Sequence, residues 1–243
     1  MDPITISAAS GLRTRMDSLD MLANNLANDS AGGYKVDREF YSLYVSPEAA
    51  GSMPDPDTLP VVQRPWTDFS QGELRSTGNS LDVAVSGKGF FTAAGPNGAL
   101  YTRNGSFRIS PAGQMQGAEG YPLQKVGGGT LTVDPSKRVE IAPDGTVSQD
   151  GAPVGQLAIV DFSNPAALAK QGHSYFHLAD TTVQPAAATG FELRQGLIEN
   201  SNAMGAEGAA RLVNVMRQFE MLKKAASLGD EMNRQAVEQV AKI

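Results

Sequence analysis

The chain has 243 residues, 41% of them hydrophobic and 19% charged, enough for one or two domains with real cores. Its formal charge of −6 excludes a general phosphate-backbone binder, which needs a clustered excess of Lys and Arg. Cysteine is absent, which excludes disulfide staples, thiol catalysis and cysteine-ligated metal.

The opening MDPITISAASGLRTRMDS has no continuous apolar core and carries Arg13, Arg15 and Asp17, so it does not read as a secretory signal peptide. No window reaches the ~18 apolar residues of a membrane span, and no membrane insertion is expected. An amphipathic helix is predicted over about residues 4–28. Ala9, Leu12, Met16, Leu19, Ala23 and Leu26 recur at alternating spacings of three and four, a heptad seam suited to lengthwise packing on a second helix. Asn24, Asn25 and Asn28 lie off that seam, although each asparagine costs roughly 0.5–0.7 kcal/mol against alanine in a helix interior. Gly32 and Gly33 supply the stop.

Residues 34–75 read as an extended, proline-rich arm. Tyr34, Phe40, Tyr41 and Tyr44 are followed by Pro47, Pro54, Pro56, Pro60 and Pro65, a composition that predicts a linker rather than regular elements. Trp66, the sole tryptophan, is expected to anchor packing beside it. Residues 76–190 read as β. Leu81, Val83 and Val85 alternate with Asp82 and Ala84, and Asn104-Gly105, Asp144-Gly145 and Asp150-Gly151 mark hairpin turns. Short, evenly spaced strands predict an antiparallel β-sandwich or barrel. A second helix is predicted from about Asn202 to Ile243. It carries one stripe at Ala209, Leu212, Met216 and Phe219, and a second at Met221, Ala225, Leu228, Met232 and Ala236 on a neighbouring face.

The expected fold is therefore mainly β with terminal α-helices: a central antiparallel sandwich or barrel-like domain between coiled-coil helices. The predicted segments are 1–33 (N-terminal helix), 34–75 (arm), 76–190 (central β domain) and 191–243 (C-terminal helix).

Catalytic chemistry finds little footing. His173 and His177 have i, i+4 spacing, but they lie in strand-like HSYFH with no acidic residue to complete a metal motif. No G-x-S-x-G elbow accompanies them. KVGGGT (125–130) lacks the Lys-Ser/Thr ending of a P-loop, and SGKGFF lacks the rest of a nucleotide motif, so both read as turns. No catalytic, cofactor or metal site is expected. On the residues alone, a secreted β-sheet binding module and a β-scaffold hydrolase stay open beside a structural subunit. The module gives no reason for terminal seams, and the hydrolase lacks an activated nucleophile.

Four stretches carry a family resemblance. SGLRTRMDSLDMLANNLANDSAGGYK resembles the opening of the flagellar rod and hook proteins, with A-N-N-L-A-N at Ala23 to Asn28 and G-Y-K at Gly33-Tyr34-Lys35. Residues 68–91, DFSQGELRSTGNSLDVAVSGKGFF, and 101–115, YTRNGSFRISPAGQM, are similar to the family's central motifs, with Met115 where leucine is usual. QGLIENSNAMGAEGAARLVNVMRQFEMLKKA is similar to its C-terminal signature, with Ile198 for Leu and Ala203 for Val. The resemblance implies an axial subunit of the flagellar basal body. Such a subunit would leave through the flagellar type III export apparatus without a cleaved signal peptide and polymerise in the periplasmic rod. Its expected partners are copies of itself and other rod proteins. The short length, the RQFEM segment and the lack of a G-x-G-V segment before F-x-Q-G favour the proximal-rod type, with the distal-rod type as alternative. Assembly is expected through Leu12, Met16, Leu19, Ala23, Asn24, Asn25, Leu26 and Asn28, then Tyr34, Ser201, Asn202, Leu212, Met216, Phe219, Glu220 and Lys224. Amides on the outer helix face can hydrogen-bond a neighbour in both directions without stranding a desolvated charge.

Overall fold

The computed structural model describes residues 3–39, 41–44, 59–62, 66–172, 174–180 and 182–240. Phe40, Pro47, Pro54, Pro56, Pro65 and His173 lie outside them, as do the side chains of Ala9 and Ala236. The chain is mainly β with a helix near each end, and it divides into two compact units. One holds residues 1–27, 37–67 and 204–243; the other holds 28–36 and 68–203.

In the first unit, α1 (Pro3–Ala27) packs on α2 (Gly205–Val240). The stretch expected to lack regular elements contributes β1 (Asp37–Arg38), β2 (Tyr41–Tyr44), β3 (Leu59–Val62) and β4 (Trp66–Thr67). β1 pairs with β4 and β2 with β3, with Pro60 opposite Leu43. Such short paired strands tolerate proline, because a two-stranded ribbon has an outer edge that needs no N–H donor. Trp66 is 48% exposed on β4 and is not the packing anchor its size suggested.

The second unit continues with β5 (Leu74–Ser76), β6 (Val83–Gly87), β7 (Phe90–Gly95), β8 (Gly98–Thr102), β9 (Arg108–Ile109) and β10 (Met115–Gln116). There follow β11 (Val139–Ile141), β12 (Thr146–Gln149), β13 (Ala152–Gln156), β14 (Ile159–Asp161), β15 (Leu168–Gln171) and β16 (Tyr175–Leu178). The last are β17 (Ala186–Ala187), β18 (Phe191–Gln195) and β19 (Leu197–Glu199). The largest sheet has the order β15-β16-β8-β7-β14-β17, every pair antiparallel, and β11-β12-β13 form a second. β6 pairs with β18, β5 with β19, and β9 with β10.

Successive side chains on a strand point to opposite faces, and β7 shows the consequence. Phe91 enters a core with Val83, Val85, Met115, Leu123, Leu131, Val147 and Leu193. Its neighbour Phe90 enters a separate cluster with Tyr101, Phe162, Leu168 and Phe176, against which Phe69 packs. The central sheet is thus covered on both sides, and each buried Phe contributes roughly 1.5–3 kcal/mol.

Asp144-Gly145 turns β11 into β12, with Gly145 at φ 90°. Asp150-Gly151 turns β12 into β13 with both residues at positive φ, 51° and 78°, as a type I′ hairpin requires. Gly87 and Gly89 flank the turn around Lys88, and Gly127 to Gly129 sit at positive φ in the 125–130 turn. Asn104-Gly105 is not a hairpin. β8 pairs with β7 and β16, while β9 pairs with β10. The Asn104 side chain instead accepts from the Ser106 N–H at 3.0 Å, and Gly105 lets the backbone cross Val83.

Candidate functional site

In the helical unit the buried seam of α1 is Thr14, Ser18 and Leu22, one residue round from the predicted stripe. Leu12, Leu19 and Leu26 flank it half-buried, Ala23 is exposed and Met16 is 53% exposed. The reading from sequence followed the large apolar residues. Packing instead covered a face with small residues on it: a Cβ on Gly11 would lie 3.6 Å from the Leu222 side chain. On α2, Gly208, Leu212, Val215, Phe219, Leu222, Ala226 and Gly229 recur at four-three spacing and are half-buried or buried. Leu212 and Phe219 therefore lie on the seam, whereas Met216, Glu220 and Lys224 are exposed, and buried Val215 was missed. The second stripe, Met221, Ala225, Leu228 and Met232, faces solvent.

Asn25 does not point outward. Its Nδ2 donates to Asp37 O at 2.8 Å and its Oδ1 accepts from Asp37 N at 3.0 Å, clamping β1 to the end of α1. Asn24 is exposed, and Asn28 follows the helix with its carbonyl accepting from Ala31 N–H.

In the β unit the motif residues converge on a buried ionic cluster. The Lys35 ammonium lies 2.5 Å from Glu199 Oε1, Arg103 Nη1 lies 3.3 Å from Glu199 Oε2, and all three side chains are buried. Glu199 Oε1 also accepts from Gly72 N–H, and Lys35 donates to Ser70 O. Arg103 donates to Val85 O and Gly87 O and stacks 5.2 Å over Phe90, while its buried Nε has no partner among the described residues. Burial lowers the pKa of Lys35 and of Arg103, with Glu199 opposing it in each case. Lys35, Arg103 and Glu199 stood inside the quoted motifs G-Y-K, Y-T-R-N-G and L-I-E-N-S-N, yet nothing in their spacing showed that they meet.

Beside the cluster, Asn202 Oδ1 accepts from Val36 N–H at 2.8 Å and its Nδ2 donates to Asp68 O at 2.8 Å; Asn202 N–H bonds Tyr34 O. Tyr34 is buried, its ring 4.3 Å from the Lys170 ammonium, and buried Ser201 accepts from Ala203 N–H. Tyr34 and Asn202 thus tie residues 28–36 to 196–203 within one unit, while Ser201 bonds locally. Asn202→Ala is expected to cost about 1–3 kcal/mol by stranding the Val36 N–H. A urea titration giving the parental midpoint would contradict that. The remaining motif residues act as similar fixtures. Gln71 bonds Val85 O and Gly87 N–H, and Asn79 bonds Leu81 N–H and Asp82.

A cleft of about 460 Å³ beside β8 and β16 is lined by Asn97, Tyr101, Gln171 and His177. Among the described residues that line it, no nucleophile is paired with a base. His177 sits on β16 opposite Ala169. Among the described residues no group of three or more His, Asp or Glu is placed to hold a metal, and no helix is long and apolar enough to cross a membrane.

Residues 84–149 match the profile of the flagellar hook protein FlgE/F/G D1 domain. The chain is 33% identical to the flagellar basal-body rod protein FlgF of Caulobacter vibrioides, over the whole of both chains. It is 30% identical to the rod protein FlgG of Buchnera aphidicola from Schizaphis graminum, covering 96% of this chain and 97% of the relative. It is 27% identical to FlgF of Mesorhizobium japonicum over 94% of each. The chain belongs to the flagellar basal-body rod proteins. As a rod protein it is a structural subunit of the bacterial flagellum and serves motility, and the buried fixtures described above are what its signature residues do in the folded subunit. Its place is the basal body, and its partners are other basal-body components.

Proposed function

We propose that the chain is a subunit of the proximal rod, polymerising with copies of itself and with neighbouring rod proteins through its terminal helices, and that it has no enzymatic activity. The observation that carries this reading is the end-to-end match with a FlgF protein. The distal rod is the second reading, favoured by the 30% identity to a FlgG protein over nearly the same span. Export through the flagellar type III apparatus and assembly in the periplasm complete the proposal. A chain without thiols is suited to an oxidising space. Within residues 1–33 and 191–243, the helices α1 and α2 act as the assembly segments that form coiled-coil contacts, while β18 and β19 pair with β6 and β5. Residues 34–75 form an arm that carries the short paired strands β1 to β4, and 76–190 form the central domain, in which core side chains on both faces of the β7 sheet support a sandwich-like build.

Placement is tested by expressing the tagged chain in a strain lacking its own copy and locating the tag in isolated basal bodies by electron microscopy. Label at the inner-membrane end of the rod is expected. Label at the hook end would move the chain to the distal rod, and absence from basal bodies would overturn the reading.

The helix pair itself makes a second expectation. Its α1 seam contains Gly11, Thr14 and Ser18 among the leucines, and a lone helix pair draws most of its stability from what packs on it. Amide hydrogen exchange in residues 3–27 and 205–240 is expected to be fast in the free monomer and strongly protected in isolated rods. Equal protection in both states would show a self-sufficient helix pair. Asn24→Lys, which places a charge on the exposed face, is expected to impair rod formation without altering the melting of the β unit.

A further inference from the structure

Sulfur in this chain resides only in methionine, because cysteine is absent. Among the described residues, Met21 on α1 is half-buried and the other methionines fall into two environments. Met115 is fully buried in the β core, at 0% exposure. Met16, Met204, Met216, Met221 and Met232, all in the helical unit, are 48–71% exposed. Met221 and Met232 stand in one stripe with Ala225 and Leu228 at four-three-four spacing, so an oxidant reaches them from solvent along a single face.

We propose that these helical methionines are oxidation sites that control whether the subunit can join the rod. The inference rests on the reading above that the helix faces are assembly surfaces. Thioether oxidation is governed by access, and the side chain that results is chemically different. Hydrogen peroxide accepts two electrons from the methionine sulfur. Its O–O bond breaks, a sulfur–oxygen bond forms, and the second oxygen leaves with both protons as water. The flexible apolar thioether, well suited to packing against a neighbouring helix, becomes a polar sulfoxide whose oxygen needs a hydrogen-bond donor. An apolar helix–helix seam supplies none. Free subunits are vulnerable, joined ones are shielded by their neighbours, and methionine sulfoxide reductases restore the thioether.

The test has two arms. The purified full chain is exposed to hydrogen peroxide and mapped by mass spectrometry. Sulfoxide is expected at the five exposed methionines about tenfold or more faster than at Met115, with the difference vanishing in urea. Equal rates in native buffer overturn the proposal. In the second arm a strain carries Met16→Gln, Met216→Gln, Met221→Gln and Met232→Gln together, glutamine being an uncharged polar stand-in, beside a matching leucine variant. These sites face solvent, so both variants fold, which circular dichroism checks. The leucine variant is expected to enter basal bodies at the parental level, and the glutamine variant at about a tenth of it or less. Parental incorporation of the glutamine variant overturns the proposal and leaves the rod reading intact. Failure of both variants overturns the assignment of the effect to polarity, and absence of the parent chain itself overturns the rod reading.

Discussion

Glu199→Ala is expected to destabilise the β unit by about 3–5 kcal/mol, because it leaves two buried cations without their shared anion. Domains of this kind are stable by about 5–15 kcal/mol in all, so the loss is a large fraction of the total. The cluster is asymmetric, with Lys35 and Arg103 on one carboxylate. Removing one cation is therefore the milder change. Lys35→Met leaves Glu199 with Arg103 and the Gly72 N–H, and Ser70 O keeps the Asn202 amide. A cost of about 1–2 kcal/mol is expected there. Urea titrations of both variants decide the matter: equal losses would mean that the cluster is not held by its single anion. A pH series adds a further check. Burial holds the Lys35 pKa below its ordinary value of 10.5, so the unfolded chain binds more protons between the lowered value and 10.5. Stability from this group is fully present above 10.5 and is lost as pH falls through the folded value. Lys35→Met should abolish that rise.

Gly105→Ala is expected to cost about 3 kcal/mol or more, from steric conflict rather than from φ. An ideal Cβ there would lie 1.6 Å from Val83 O, and the Val83 N–H bonds Gly105 O at 2.9 Å, so the two backbones cannot separate without losing that bond. Gly78→Ala is the comparison. Gly78 has φ 71° but no atom near its missing Cβ, so only the left-handed conformation is penalised, at about 1–2 kcal/mol. Thermal melts that rank the two the other way would show that the crossing at Val83 relaxes easily.

Residue type alone determined the features that need no distant partner. The two terminal helices follow from apolar residues at spacings of three and four, and the β body from alternation around Val83 and Val85. Asp144-Gly145 and Asp150-Gly151 turn hairpins because an Asp-Gly pair meets the local backbone demand by itself. The family was legible for the same reason, since its motifs are contiguous strings. Tertiary structure decided everything that depends on what lies opposite. Asn104-Gly105 carries the same kind of turn signal, yet the glycine serves a close crossing with Val83, which no local pattern encodes. The α1 seam rotated by one residue, burying Thr14, Ser18 and Leu22 and leaving Met16 in solvent, because the covered face is set by α2 and β3, which the local pattern does not show. Asn25 turned inward because Asp37 offers both a donor and an acceptor. Lys35 and Glu199, 164 residues apart, became one buried pair. A charge survives burial only where folding delivers its counter-charge, and chain separation gives no sign of that meeting.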